Sequence, residues 1–308
     1  MTSLKNITFI LLFMLLTSFS WSCSTGGFGL HADSLFLITS KVHHHYNLKK
    51  PTEKHYLPYV LEEISGLTFK PPHHILAVDD ESGKVFEYDL KSKKIVHSID
   101  FYKSDDYEGI ELVDNKIYVL KSDGDVFEFA YSSSKKLIAE KYENKLDSEN
   151  DTEGLGYDRT TNQLIIACKE DGNIGKEDVS GRAFYAFDLK TKKLNQAPLF
   201  IIGPKELEAF WESEKDFDYD RNRIKFKPSA IATHPISGNY YILSSVGKML
   251  VVVAKSGELK ATYPISPRVL GQPEGLCFDE KGNMYISSEG EGDRGYILKF
   301  EMHKKSSR

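Results

Sequence analysis

Asp106-Tyr107-Glu108-Gly109-Ile110 recurs along the chain in related copies, and these copies decide the fold. The clearest are Asp151-Thr152-Glu153-Gly154-Leu155 and Gln272-Pro273-Glu274-Gly275-Leu276. Two degenerate copies, Ile64-Ser65-Gly66-Leu67 and Pro228-Ser229-Ala230-Ile231, carry Ser in place of Glu. Successive copies are 43 (66 to 109), 45 (109 to 154), 76 (154 to 230) and 45 (230 to 275) residues apart. Periods in this range are typical of propeller blades or helical arrays.

The residues that follow each copy have the pattern of short β-strands. After Glu108, the runs 109–113, 116–120 and 125–129 are rich in β-branched and aromatic residues and are separated by turns rich in Asp, Asn, Ser and Gly. Apolar residues at helical spacing are absent from these runs. Each period therefore predicts one four-stranded antiparallel blade of an all-β propeller, with the repeated residue on the strand that lines the central channel.

Five repeat units predict a five-bladed propeller. The last unit shows only three strands, and the strand-like segment 54–60 precedes the first repeat, so we expect this N-terminal strand to complete the last blade. Residues 199–226 account for the long spacing. They contain one weak strand at 199–202 and a segment, 203–223, that reads as a short amphipathic helix and a loop. A sixth blade hidden in this stretch is the alternative.

The N-terminus has the pattern of a targeting segment. Lys5 precedes the apolar run 7–16, and Ser22 lies directly before Cys23, as in lipoprotein signal peptides. We therefore expect a signal peptide at 1–22, a lipidated N-terminus and linker at 23–50, the propeller at 51–303 and a charged tail at 304–308. This predicts an envelope protein anchored by lipid to the inner or outer membrane and facing the periplasm or the exterior. Ordinary secretion is the alternative.

Charge and cysteine content restrict the partners and the covalent chemistry. The 308 residues carry a formal net charge of −5 and no basic block, so nucleic acid is not expected as a partner. Cys168 and Cys277 lie in different predicted blades, and we expect buried free thiols rather than a disulfide. The run His43-His44-His45 is interpreted as solvated linker, because adjacent residues of an extended chain point to alternate sides.

Glu108, Glu153 and Glu274 are expected to converge at one mouth of the channel. Carboxylates held close together repel one another and lose solvation, a cost that a bound cation relieves. Oxygen ligands in irregular geometry favour Ca²⁺, whereas no Cys or His recurs in this phase to favour Zn²⁺ or copper. The alternative is that each glutamate accepts hydrogen bonds from a neighbouring blade and holds the ring together. Four residues are weaker candidates for the same site: Ser65, Ser229, Asp79 and Glu289.

Three classes of function stay open. The sequence has no Gly-x-Ser-x-Gly nucleophile turn and no phosphate-binding glycine loop. The leading interpretation is a Ca²⁺-binding module that presents a propeller face to a small molecule or a protein. The alternatives are a metal-dependent hydrolase of lactones or phosphoesters and a structural propeller without metal.

The ordered set of motifs resembles the SdiA-regulated family. The resemblance rests on residues 61–69, 76–81 and 83–88 and continues through 106–110, 150–158, 227–233, 242–245 and 272–279, covering roughly residues 46–301. It implies a five-bladed propeller, distantly similar to NHL-repeat propellers, with Ca²⁺ in the channel and an association with the envelope. Matched by motif, the glutamates of the family fall on Glu108, Glu153 and Glu274.

Overall fold

The computed structural model of the chain describes residues 46–175, 179–213, 225–290 and 292–303. In chain order its strands are β1 (Glu53–Tyr56), β2 (Ile64–Lys70), β3 (His74–Asp79), β4 (Lys84–Asp89), β5 (Lys94–Asp100), β6 (Tyr107–Val113), β7 (Lys116–Lys121), β8 (Val126–Ala130), β9 (Glu140–Tyr142), β10 (Thr152–Asp158), β11 (Gln163–Cys168), β12 (Arg182–Asp188), β13 (Lys193–Leu194), β14 (Phe200–Ile202), β15 (Lys227–Thr233), β16 (Tyr240–Val246), β17 (Met249–Val253), β18 (Leu259–Pro264), β19 (Pro273–Phe278), β20 (Met284–Ser288) and β21 (Tyr296–Phe300). A 3-10 turn spans Tyr59–Leu61, and helix α1 spans Pro204–Ser213.

The strands form five antiparallel sheets, which are the blades of a propeller. Blade I contains β2 to β5, blade II β6 to β9, blade III β10 to β14 and blade IV β15 to β18, whereas blade V contains β19 to β21 and β1. The first strand of each repeat unit, which carries the repeated motif, lies at one edge of its sheet and contacts the corresponding strands of both neighbouring blades. The predicted five-bladed, all-β architecture is confirmed.

The ring is closed by the N-terminal strand, as the sequence predicts. β1 pairs antiparallel with β21 and so supplies the fourth strand of blade V. Two further contacts fix this junction: Leu57 N donates to Gly295 O at 2.8 Å, and Arg294 Nε donates to Leu57 O at 2.7 Å. Leu57 itself is completely buried. The first and last parts of the domain are thereby joined within one sheet.

The long spacing in blade III comes from a divided outer edge and a helix. β13 and β14 both pair with β12, β13 with its C-terminal end and β14 with its N-terminal end. The predicted outer strand at 199–202 is thus confirmed. The helix is also present as α1, whereas residues 214–224 of the predicted loop lie outside the described residues. In the part of the chain that the structure describes, no helix has the length and apolar character needed to cross a membrane.

Apolar side chains pack between neighbouring blades. One cluster joins Leu76 and Phe101 of blade I to Tyr107 and Phe127 of blade II, and comparable clusters lie at the other interfaces. The packed chain extends back to Tyr46, within the stretch predicted as linker.

Tyr46 packs the start of the described chain against blades IV and V. Its hydroxyl donates to Gly282 O at 2.6 Å and contacts His234 Nε2 at 2.8 Å. The predicted free thiols, Cys168 and Cys277, are both buried.

Removal of β1 tests the closure. A chain that begins at residue 58 loses the strand and the buried Leu57, so we expect its thermal midpoint to fall by roughly 5 °C or more relative to a chain that begins at residue 51. The exposed edge of β21 should also increase aggregation. Thermal melts of the two chains, with and without an added peptide of residues 51–57, measure the effect. Equal midpoints would show that β1 does not close the ring.

Candidate axial carboxylate site

The repeated residue of each copy occupies a β-bulge on the first strand of its blade. In blade II, Tyr107 pairs with Lys121 and Gly109 pairs with Leu120, which leaves Glu108 as an extra residue. The same irregularity occurs in the other four blades, at Ser65, Glu153, Ser229 and the pair Glu274-Gly275. A bulge changes the direction of a side chain relative to the regular pleat. The fold thus repeats one local distortion five times around the axis.

The residue after each bulge is small because these strands approach one another closely. A Cβ atom on Gly109 would lie 2.5 Å from the Cβ of Leu155 in blade III, and a Cβ on Gly66 would lie 2.8 Å from the carbonyl oxygen of Glu108. Neither distance is compatible with ordinary packing. The Glu-Gly pair therefore has two functions, since the glycine permits the strands to converge and the bulge directs the preceding side chain.

Glu108, Glu153 and Glu274 line a single cavity of about 10 Å³. Burial raises the pKa of Glu108 to about 10, and the negative charges of Glu153, Asp106 and Glu274 add to this effect. Burial likewise raises the pKa of Glu153 to about 7. For Glu274, burial and the charge of Glu153 hold the pKa well above its usual range. The structure brings the three predicted glutamates together, in a place where their combined negative charge is costly.

Lys169 supplies positive charge to this cluster. It follows β11, its Nζ donates to Glu153 Oε1, and the same atom lies 3.8 Å from Asp151 Oδ2. Its charge also opposes the rise in the pKa of Glu274. Lys248 also lowers the pKa of Glu274, and Lys227 that of Asp151. Lys169 is the cation that pairs directly with an axial glutamate, and the acids around it outnumber these lysines when all of them are ionised.

Glu153 also has an oxygen that no described residue satisfies. Its Oε2 atom is buried and has no hydrogen-bond partner within the described ranges. Glu111, on the same strand as Glu108, differs in this respect: Glu111 Oε2 accepts from Thr68 Oγ1 of blade I at 3.0 Å, and Oε1 accepts from Tyr157 N of blade III at 3.0 Å. Glu111 thus bridges blade II to both of its neighbours.

The donor chemistry of the axial cluster fits a hard cation. Carboxylate oxygens are the ligands that Ca²⁺ prefers, and the unpartnered Oε2 atom of Glu153 is available to bind one. In the structure, the carboxylate oxygens of the three axial glutamates do not all lie within 4.8 Å of one another. Glu108, Glu153 and Glu274 would therefore hold an ion after rotation of their side chains, and the ion would supply the missing positive charge.

The two candidate serines make contacts between blades. Ser65 Oγ donates to Tyr107 O of blade II at 2.6 Å, and Ser229 Oγ donates to Pro273 O of blade V at 2.8 Å. In both cases the serine hydroxyl donates to a backbone carbonyl of the next blade. The acceptor residue lies two positions before the Gly of that blade's repeat copy. An ionised glutamate at the bulge has no hydrogen to donate, so the Ser and Glu copies differ in chemistry.

The two candidate acids at the ends of second strands lie in different surroundings. Asp79 Oδ1 accepts a hydrogen bond from Ser82 Oγ, which is a turn contact. Glu289 accepts from Gln272 Nε2, and burial raises its pKa to about 7. The charge of Glu289 also raises the pKa of Glu274, so Glu289 contributes to the electrostatics of the axial cluster.

Sequence reasoning missed Lys169, which directly follows β11, the second strand of blade III. At the ends of the second strands, only acidic residues were considered as candidates for the axial site. Sequence reasoning also missed the second layer of acids formed by Asp106 and Asp151. Both aspartates stand three positions before the Gly of their copies, so the repeat alignment contained this signal.

A comparison with known families finds that the family described as SdiA-regulated matches residues 40–292. The chain belongs to the SdiA-regulated family. This match confirms the resemblance seen in the motifs. No curated protein matches the sequence significantly.

Solved structures similar to this SdiA-regulated protein have low sequence identity. A PQQ-bound aldose sugar dehydrogenase from Streptomyces coelicolor is 12% identical, with a TM-score of 0.50 over 82% of this chain and 98% of that one. A luciferin-regenerating enzyme is 12% identical, with a TM-score of 0.48 over 82% and 95% of the two chains. A virginiamycin B lyase from Staphylococcus aureus is 13% identical, with a TM-score of 0.45 over 81% and 73%. At this identity the similarity concerns the fold alone.

The raised pKa values of the axial acids predict how stability depends on pH. Carboxyl groups with a higher pKa in the folded than in the unfolded state hold extra protons when folded, so the free energy of unfolding of metal-free protein should fall as pH rises from about 4.5 through 7 toward 10. Each such group contributes a slope of up to about 1.4 kcal/mol per pH unit. Glu108→Gln should remove one of these contributions and make the protein more stable at pH 8.

Denaturant unfolding in the presence of a chelator, from pH 5 to pH 9, measures these slopes. Glu208→Gln, at an exposed position of α1, is the matched control and should retain the parent slope. A Glu108→Gln protein with the same pH dependence as the parent would contradict the electrostatic description of the site.

Proposed function

We propose that this protein is a lipid-anchored envelope protein whose propeller binds Ca²⁺ in its central channel and presents a propeller face to a ligand or a partner protein. The observation that carries the proposal is the set of three glutamates held at bulges around one small cavity. The crowding of carboxylates that raises their pKa values and the unpartnered oxygen of Glu153 favour uptake of a cation, which would displace the protons that these groups otherwise hold.

The choice of Ca²⁺ follows from the ligand atoms. The side chains that line the axial cavity offer carboxylate and hydroxyl oxygens, and among the described lining residues there is no imidazole or thiol. Such oxygen-only sets select hard cations, and the irregular geometry of the bulges on converging strands suits the variable coordination of Ca²⁺ better than the strict octahedron of Mg²⁺.

A larger cavity supports the ligand-binding part of the proposal. It has a volume of about 830 Å³, within the range of small-molecule sites, and its lining includes Glu170, Arg182 and Lys227. Lys227 Nζ donates to Glu170 Oε1, and Glu170 directly follows Lys169 in the chain. One charged residue of this cavity, Glu170, is therefore the chain neighbour of the lysine that pairs with Glu153, so a charged ligand there would influence the axial cluster.

Anchoring rests on the sequence of the N-terminus. Cys23 and the targeting segment lie outside the described residues, and the proposal of a lipid anchor is supported by the Ser22-Cys23 pattern alone.

Thermal melts with added metal test the axial site. Protein treated with EDTA should gain stability when Ca²⁺ is added, by about 2.7 kcal/mol at a concentration one hundred times the dissociation constant. Mg²⁺ should give a smaller gain. Glu153→Gln should abolish the Ca²⁺ effect, because it removes a charged ligand from the axial cluster.

Glu111→Gln is the matched control for this experiment. The glutamine keeps an oxygen that can accept from Tyr157 N and removes a buried charge that lies outside the axial cavity, so the gain from Ca²⁺ should equal that of the parent whatever the midpoint of the metal-free variant. A protein whose midpoint responds to neither Ca²⁺ nor chelator would favour the structural propeller without metal. Hydrolysis of a lactone or phosphoester that disappears in Glu108→Gln would favour the hydrolase.

Lys169→Met tests the balance of charge. Removal of the ammonium leaves Glu153 without its ion-pair partner, so the metal-free variant should be less stable than the parent at pH 8 and its gain from Ca²⁺ should be larger. Lys192→Met is a matched control, since Lys192 forms an ion pair with Glu128, whose other oxygen pairs with Lys116 in the outer part of the ring. An unchanged response to Ca²⁺ in Lys169→Met would show that this lysine does not compete with the ion.

A further inference from the structure

Two histidines and an aspartate form a second group of potential metal ligands, on blade I. The ligand atoms of His73, His74 and Asp89 all lie within 4.8 Å of one another. Each of the three is partly buried. The group lies at the opposite end of β2 from Ser65, so it is separate from the axial site.

The strand register explains how these residues meet. His74 begins β3 and Asp89 ends β4, and the two residues are paired directly across the strands. Directly paired residues of antiparallel strands have adjacent side chains. His73 belongs to the turn before β3, so its side chain need not point to the opposite side from that of His74, as it would within a strand. The centroids of the two rings lie 4.6 Å apart. Leu90 N also donates to His73 O at 3.1 Å, which fixes the turn against the end of β4.

One imidazole nitrogen of this group has no partner in the described part of the chain. The Nδ1 atom of His73 is buried and has no hydrogen-bond partner among the described residues, whereas His74 Nδ1 lies 3.0 Å from Glu87 Oε1. His73 Nε2 lies 3.7 Å from Asp89 Oδ1, which is longer than a hydrogen bond. Buried nitrogen atoms without partners are unfavourable unless they meet water or a metal ion. His73 therefore offers a nitrogen that the described residues do not use, and His74 has its Nδ1 atom beside Glu87 and its Nε2 atom left as a possible ligand.

Glu87 provides support around this group. Its Oε1 atom lies 3.0 Å from His74 Nδ1 and 2.9 Å from Lys70 Nζ, and Tyr131 Oη donates to Oε2 at 2.6 Å. Glu87 is buried, so its position is fixed by these contacts. A carboxylate beside a ligating histidine orients the ring and increases its basicity, an arrangement common around protein-bound metals.

We propose that His73, His74 and Asp89 form a binding site for Zn²⁺ or a similar late first-row divalent cation on blade I. Two imidazoles and one carboxylate are a ligand set that Zn²⁺ accepts, with a fourth position left for water or a ligand. The ion would join the turn after β2 to the end of β4. This inference is independent of the axial site, whose oxygen ligands favour a harder cation.

Titration of the full chain with Zn²⁺, followed by calorimetry, tests the proposal. We expect saturable binding that weakens at least about tenfold in His73→Ala and in Asp89→Asn, since each loses a direct ligand. Co²⁺ should give the visible absorption of a tetrahedral site with nitrogen and oxygen ligands, and both variants should lose it. Asp89→Asn keeps the shape of the side chain and guards against a result caused by misfolding.

Three controls make the outcome decisive. His97→Ala removes another partly buried histidine of blade I, whose Nε2 contacts Ser132 O at 3.0 Å, and should bind Zn²⁺ as the parent does. Replacement of His43, His44 and His45 by Ala, and separately Glu153→Gln, should also leave the binding and the Co²⁺ spectrum unchanged. Binding that survives His73→Ala, or that is lost with the 43–45 tract or with Glu153, would overturn the proposal.

Discussion

The structure depends on the convergence of five strands around one axis. The strands approach so closely that a single Cβ atom on Gly109 would lie 2.5 Å from the Cβ of Leu155. Because the backbone has no room for a side chain at this position, the preceding residue is placed in a bulge and directed elsewhere. Packing between the blades, closure by β1 and the position of the acids all follow from this geometry.

Convergence also sets the electrostatics of the protein. A fold that repeats one residue around an axis repeats its charge, and the pKa of Glu108 rises to about 10 because burial and like charges act together. The chain reduces this cost by using Ser in two of the five copies and by placing Lys169 beside Glu153. The remaining cost is met by protonation, which the raised pKa values express, or by a bound cation. We propose that relief of this cost would give the site its affinity for a cation.

The repeat phase predicted the blades, the closing strand and the convergence of Glu108, Glu153 and Glu274, since each depends on spacing along the chain. The bulges were not predicted, because an extra residue is visible only against the register of the next strand. Lys169 was missed because its partner, Glu153, lies on the neighbouring strand sixteen positions earlier. His73 and His74 do not recur in the repeat units, so the repeat alignment did not identify them. They become candidate metal ligands only together with Asp89, which the pairing of β3 with β4 brings opposite His74.

Diffraction from crystals grown with Ca²⁺, recorded at a long wavelength where calcium scatters anomalously, would show whether an ion binds in the channel. We expect an anomalous peak there, with carboxylate oxygens of Glu108, Glu153 and Glu274 at about 2.3–2.6 Å. Lys169 should then have moved away from Glu153 or share it with the ion. A channel without such a peak at saturating Ca²⁺, in which the ammonium of Lys169 alone neutralises the glutamates, would contradict the account.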